Sequence, residues 1–304
     1  MKAAFQHRLD QLAGDIGPTP SLRLLRLMDP DAFARAFATF AAAFARARRE
    51  GVALDGKALR RGYQTGLQAA PPLTVSAFAA DTRLCLAAAA PKSGGNEITA
   101  ALEVIELLDL TDRLVTADAL HCHKDMAAAV TRRGGDYLLA LKGNRRHRQQ
   151  QARQALAHGH AQSVIREEVS HGRNEWRKAE VIAADMPLMD GHKAFNRVTS
   201  RCDDAAAKTH LFMTSTVLSP KDALDLARAL WQVENGLHWI LDVHLRENQS
   251  RARKDHAPAN IALVNRIVRN ILKLADNDKV PISHRIRKCA WNDDYLIAAI
   301  DHMR

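Results

Sequence analysis

Ala227-Arg228-Ala229-Leu230-Trp231-Gln232-Val233-Glu234-Asn235-Gly236-Leu237-His238-Trp239-Ile240-Leu241-Asp242-Val243 is the stretch on which the reading of this chain turns. With Leu226 before it, Leu230, Val233, Leu237, Ile240 and Leu241 recur at three-to-four spacing, which predicts a helix with one buried face. Glu234 stands inside that run, between two tryptophans. A carboxylate among apolar residues costs free energy unless a cation, a hydrogen-bond network or a metal compensates it. The expectation is a metal that Glu234 shares with two further acids, Asp55 and Asp118.

Those acids follow from the chain upstream. Gly51-Val52-Ala53-Leu54-Asp55-Gly56-Lys57 is a short apolar strand that ends in an acid, and Leu114-Val115-Thr116-Ala117-Asp118 repeats the pattern. Between them lie two more strand-like runs, Leu73 to Ala79 and Leu84 to Ala89, and a helix from Glu97 to Leu108 capped by Asn96. A helix around Lys124 to Arg133 and a strand from Tyr137 to Lys142 follow. Strands alternating with helices at this spacing predict a mixed α/β sheet covered by helices, and by analogy the order is that of a ribonuclease H-like fold. From Asn144 to Thr216 the character shifts to a polar helix and four strand-like segments, which predicts a β-rich insertion before the Glu234 helix. Pro220 and Pro258 open two helices, the second with Ile261, Val264, Ile267, Val268 and Ile271 on one face. Asp29-Pro30 opens an earlier one that carries Phe33, Phe37, Phe40 and Phe44. The expected organisation is a helical region over 1–50, a catalytic core over 51–143 and 217–275, the insertion over 144–216, and a basic tail over 276–304.

Composition narrows the partner. The 304 residues are 47% hydrophobic, enough for a sizeable core, and carry a formal net charge of +10. Basic residues are spread along the chain, which favours a polyanion such as nucleic acid, although a merely basic soluble protein would show the same excess. Cys85, Cys122, Cys202 and Cys289 have no short paired spacing, so neither a disulfide framework nor a zinc site is expected. The N-terminus lacks an apolar signal core, and the run Ala36 to Ala45 is too short for a bilayer. A cytoplasmic protein without a membrane partner is expected.

Three carboxylates from separate elements can hold two hard divalent cations about 3.5–4 Å apart, as phosphoryl transfer on DNA requires. Asp55, Asp118 and Glu234 suit this role, with Glu97, Asp242 and Glu247 competing for the third place on spacing. Arg60-Arg61, Arg145 to Arg148 and Arg251 to Lys254 are candidate phosphate contacts, and equally a solvated basic face. His121-Cys122-His123 has no distant partner and reads as a loop element. Lys142-Gly143-Asn144 lacks the fuller P-loop pattern, and no Gly-x-Ser-x-Gly element is present.

Leu54 to Arg61, Asn96 to Ala100, Val115 to Ala119, Gly134 to Asn144, His171 to Arg173, Trp231 to Asp242, Glu247, Ser250-Arg251 and Ala257 to Asn260 together resemble successive motifs of bacterial insertion-sequence transposases of the DDE superfamily, ISAs-type subgroup. The resemblance covers roughly residues 50–275, in order. It implies an RNase H-like core with Asp55, Asp118 and Glu234 as catalytic metal ligands, Mg2+ as the metal and Mn2+ as its substitute. It also implies cleavage at transposon ends followed by strand transfer into target double-stranded DNA, by a homodimer at synapsis. DNA contacts are then expected from Lys57, Arg60, Arg61, Lys142, Arg228, Arg251, Arg253 and Lys254. The chain departs from the relatives in two respects. Leu230 and Leu241-Asp242 stand where basic phosphate contacts fall, and only Met1 to Met28 precede the Asp-Pro-Asp-Ala-Phe segment, a shortening expected to impair activity. Two rival expectations are a non-catalytic DNA-binding regulator of transposition and a plain metal-dependent nuclease.

Overall fold

A computed structural model of the protein describes residues 18–44, 51–59, 71–92, 94–170, 172–203, 205–275 and 280–301. Its strands are β1 (Gly51–Ala58), β2 (Leu73–Ala79), β3 (Cys85–Ala89), β4 (Leu114–Ala117), β5 (Asp136–Leu141), β6 (Gln162–Ser170), β7 (Arg173–Ala183), β8 (Ala194–Cys202) and β9 (Lys208–Thr214). They form one nine-stranded sheet in the order β3-β2-β1-β4-β5-β9-β8-β7-β6. β1 runs parallel to β4 and β4 to β5, and the other neighbours are antiparallel. The β3-β2-β1-β4-β5 half is the RNase H-like mixed sheet that the sequence predicts. The four strands within residues 144–216 continue that sheet, because β9 pairs directly with β5.

The helices are α1 (Pro18–Leu27), α2 (Pro30–Ala42), α3 (Glu97–Glu106), α4 (Lys124–Arg132), α5 (Arg146–His158), α6 (Pro220–Leu230), α7 (Trp239–Val243), α8 (Ala257–Leu274), α9 (Ile282–Trp291) and α10 (Asp293–Asp301). Their starts are fixed by local chemistry. The side chains of Asp29 and Ser219 accept the amides of Asp31 and Asp222, and Asn96 and Thr99 close a reciprocal capping box. None of the described helices is long and apolar enough to cross a membrane.

Strand alternation sorts the core between the two faces of the sheet. Val52 and Leu54 join Ala100, Val104, Met126 and Val130 of α3 and α4 on one face. Ala53 joins Phe37, Val233, Leu237 and Leu241 on the other.

Two helices differ from their sequence patterns. The helix expected to run unbroken from Pro220 through the quoted stretch stops at Leu230, and Glu234–His238 forms a π-turn before α7 resumes. Trp239 N–H donates to the Glu234 carbonyl across that turn, a five-residue step that takes in one more residue than an α-turn. Val233, Leu237 and Leu241 stay buried, but the Glu234 side chain is 69% exposed, and Trp231 and Trp239 also face outward. Glu234 therefore stands on the rim of its helix, not among apolar side chains.

In α8 the expected stripe of Ile261, Val264, Ile267, Val268 and Ile271 is only half-buried. The fully buried face carries Ala262, Leu263, Arg266, Arg269 and Asn270. Polar groups lie inward because each has a distant partner. Asn270 donates to the Cys85 carbonyl at 2.7 Å and accepts its amide at 2.9 Å. Arg266 reaches Ser76 at 2.8 Å and Glu247 at 3.0 Å.

Candidate metal centre

Asp55 and Asp118 become neighbours through strand register. β1 and β4 pair as Ala53↔Thr116 and Leu54↔Ala117, so the two aspartates occupy the next position, where that parallel ladder ends. β1 itself runs on to Ala58 against β2, with Asp55 opposite Ser76, so Asp55 lies within a strand and not at its end. Alternation then aims Asp55. A side chain at Gly51 would touch Leu226 and Ala229, and Ala53 packs with Val233 and Leu237, so Asp55 rises on the face that carries Glu234.

Three ligand atoms converge there. One atom each from Asp55, Glu234 and His238 lies within 4.8 Å of the other two. His238 Nδ1 is 3.1 Å from Glu234 Oε2 and 3.4 Å from Asp55 Oδ2. Asp118 lies beside this trio and outside it, its Oδ1 accepting the Leu120 amide at 2.9 Å. Burial pushes the Asp55 carboxyl up to about 6, the Gly56 amide opposes that, and the negative charges of Glu97, Glu234 and Asp118 add to it. Burial, followed by the nearby Arg266 guanidinium, holds His238 below its usual value, while Glu234 works the other way. A half-buried carboxyl facing three like charges is a site that a cation relieves, and the carboxylate–imidazole donor set fits a divalent metal.

Hydropathy does not single out His238, although Glu234-x-x-x-His238 is an i, i+4 pair whose spacing is the one signal that points to it. The competing acids are otherwise engaged. Asp242 accepts from Lys57 Nζ at 2.7 Å. Glu247 is buried against Arg266. Glu97 closes over Gly56, where any side chain would collide with its carboxyl group, and lies 3.4 Å from His121 Nε2.

Around this centre, Lys57 is buried on Asp242. Lys142, Arg251, Arg253 and Lys254 are exposed, and exposed Arg228 reaches Glu168 at 3.3 Å. Arg60 and Arg61 lie outside the described residues. Arg145 and Arg148 hold the Cys122 carbonyl at 2.8 and 3.1 Å, which braces the loop after Asp118. His123 Nδ1 accepts the Met126 amide as the cap of α4, so that histidine is a loop element. A cleft of about 900 Å³ runs from Glu97 past Ala58 and Thr74 to Arg253.

The profile of the transposase DDE domain matches residues 46–271. YncI of Escherichia coli O157:H7, provisionally named a transposase, is 29% identical over 262 residues, covering 81% of this chain and 67% of its own. YhhI of Escherichia coli, an H repeat-associated protein with the same provisional name, is 28% identical over 270 residues, covering 82% and 71%. Among solved structures, a piggyBac transposase synaptic complex with hairpin DNA aligns at a TM-score of 0.44 and 11% identity, over 85% of this chain. The chain spans about half of that larger protein (54%). With the domain profile matched across most of its length, the chain belongs to the transposase DDE-domain family.

Proposed function

We propose that this protein is a DDE transposase that cleaves DNA at transposon ends and transfers the freed strand into target DNA, with Asp55, Asp118 and Glu234 as its metal-holding acids. The observation that carries this reading is the convergence of Asp55 and Glu234 where the parallel β1–β4 ladder ends, with Asp118 in the adjoining position. Mg2+ or Mn2+ bound there would stabilise the attacking and leaving oxygens of a phosphodiester. The chain's own residues hold the acids in place. Gly56 donates its amide to Asp55 Oδ1 at 3.0 Å, and the π-turn presents Glu234 toward the strands. The basic surface, with Lys142, Arg228, Arg251, Arg253 and Lys254 exposed, supplies phosphate contacts. Lys57, with its ammonium on Asp242, serves the same surface only if that pair opens.

The test uses the full chain, MgCl2 or MnCl2, a labelled duplex carrying the DNA ends that flank its own coding region, and a supercoiled target plasmid. Metal-dependent nicking at the ends and joined products are expected, and Asp55→Asn, Asp118→Asn and Glu234→Gln each reduce both to background while duplex affinity persists. Cutting without joining would make the protein a nuclease. Binding without either would make it a regulator.

A further inference from the structure

We propose that His238 is itself a cation ligand, so that the Glu234 side of the centre is a mixed oxygen–nitrogen site that prefers Mn2+ to Mg2+. This deepens the reading above and rests on it for the presence of a cation. His238 is 4% exposed, and its Nδ1 faces both carboxylates at nearly equal distance, 3.1 Å from Glu234 and 3.4 Å from Asp55. Ligand atoms about 2.1–2.2 Å from a common ion and at right angles to one another stand about 3 Å apart, so these separations suit neighbouring positions on one coordination sphere. Asp118 is turned to the Leu120 amide and lies outside the trio, so nitrogen and not a third carboxylate completes this side.

Main-chain geometry fixes the arrangement. The π-turn begins at Glu234 and ends at His238, and the Gly236 carbonyl between them accepts from the buried Arg269 at 3.0 Å. Leu237, fully buried beside His238, anchors that end of the turn in the core. Oxygen-only sets suit Mg2+ and Ca2+, whereas imidazole shifts preference toward Mn2+, Co2+ and Zn2+. A histidine that only steered Glu234 through a hydrogen bond would leave the ion an all-oxygen sphere.

The discriminating measurement is pulsed electron paramagnetic resonance of Mn2+ bound to the full-length protein, with free Mn2+ counted in the same titration. The expected wild-type spectrum shows modulation from one imidazole nitrogen. Mg2+ should displace the ion only at more than about tenfold excess over Mn2+. His238→Gln, checked for folding by circular dichroism, should lose the nitrogen modulation and weaken Mn2+ binding about tenfold or more while changing Mg2+ binding less. Mn2+ held by wild type with no nitrogen modulation overturns the proposal and leaves the carboxylate centre standing. Mn2+ bound equally well by Asp55→Asn overturns the centre itself. The wild-type spectrum decides the matter even if the variant fails to fold.

Discussion

Arg269 Nη2 donates to the carbonyl of Gly236 at 3.0 Å, in the middle of the π-turn that carries both Glu234 and His238. The same guanidinium reaches the Arg83 carbonyl and lies 5.1 Å over the ring of Phe78. Burial lowers its pKa to about 10, so it remains a cation at neutral pH. One buried side chain thus ties the turn to β2 and to the loop after it. Arg269→Met leaves two carbonyls without this donor and should cost about 2–4 kcal/mol in urea unfolding. Arg269→Lys should recover only part of that, because an ammonium lacks the planar fork that serves both carbonyls at once.

Gly236 also limits what the turn can hold. A methyl group at this position would meet Phe78 Cζ at 3.0 Å and Cε1 at 3.2 Å. Gly236→Ala should destabilise by about 1–3 kcal/mol. Adding Phe78→Leu should return part of that loss, a non-additivity visible in a double-mutant cycle. Strict additivity would show that the two residues do not press on each other.

The raised Asp55 carboxyl makes stability depend on pH with a definite sign. Its value moves from 3.8 to about 6, so folding favours the protonated form. Its stabilising contribution is complete below the unfolded value and is lost as pH rises through about 6. A divalent cation should reverse that loss above this range and do little below it, where protons compete for the same oxygens. Melting temperatures with and without MnCl2 at about pH 4.5 and 7.5 test this. An equal metal-induced rise at both values, or an unchanged pH profile in Asp55→Asn, would count against it.

Glu247 and Arg266 are 1% and 0% exposed and 3.0 Å apart. Removing one partner strands the other charge, so Glu247→Ala should cost about 3–5 kcal/mol. Replacing both with methionine should cost much less, because neither charge is then left alone. Chemical denaturation of the two variants beside the wild type measures the difference.

Lys57 and Lys254 should separate in salt titrations of duplex binding. Removing one phosphate contact reduces the slope of log affinity against log salt by about 0.9. Lys254→Ala, at an exposed position, should show that reduction. Lys57→Met should leave the slope unchanged and lower stability through the stranded Asp242 carboxylate. A reduced slope for Lys57→Met would restore it to the DNA surface.

What the sequence made legible was local. Asp29-Pro30 and Asn96 announced their helices because capping is settled within four residues. β1 and β4 were readable as short apolar runs ending near acids. Less legible was anything that depended on residues far apart in the chain. Ile261, Val264 and Ile271 read as the inner face of α8 because periodicity counts apolar side chains and cannot see that Arg266 has Glu247 and Ser76 to meet. Glu234 read as buried because a π-turn leaves no mark on hydropathy. The place of His238 beside Asp55 is likewise invisible in the sequence, since it appears only when the β1 strand is laid alongside the turn.

The direct pairing of β5 with β9 has a mechanical consequence. Backbone hydrogen bonds link neighbouring strands from β3 to β6, so the outer four strands are joined to the acid-bearing β1 and to the strand beside the Asp118 loop by one continuous sheet and not by a flexible linker.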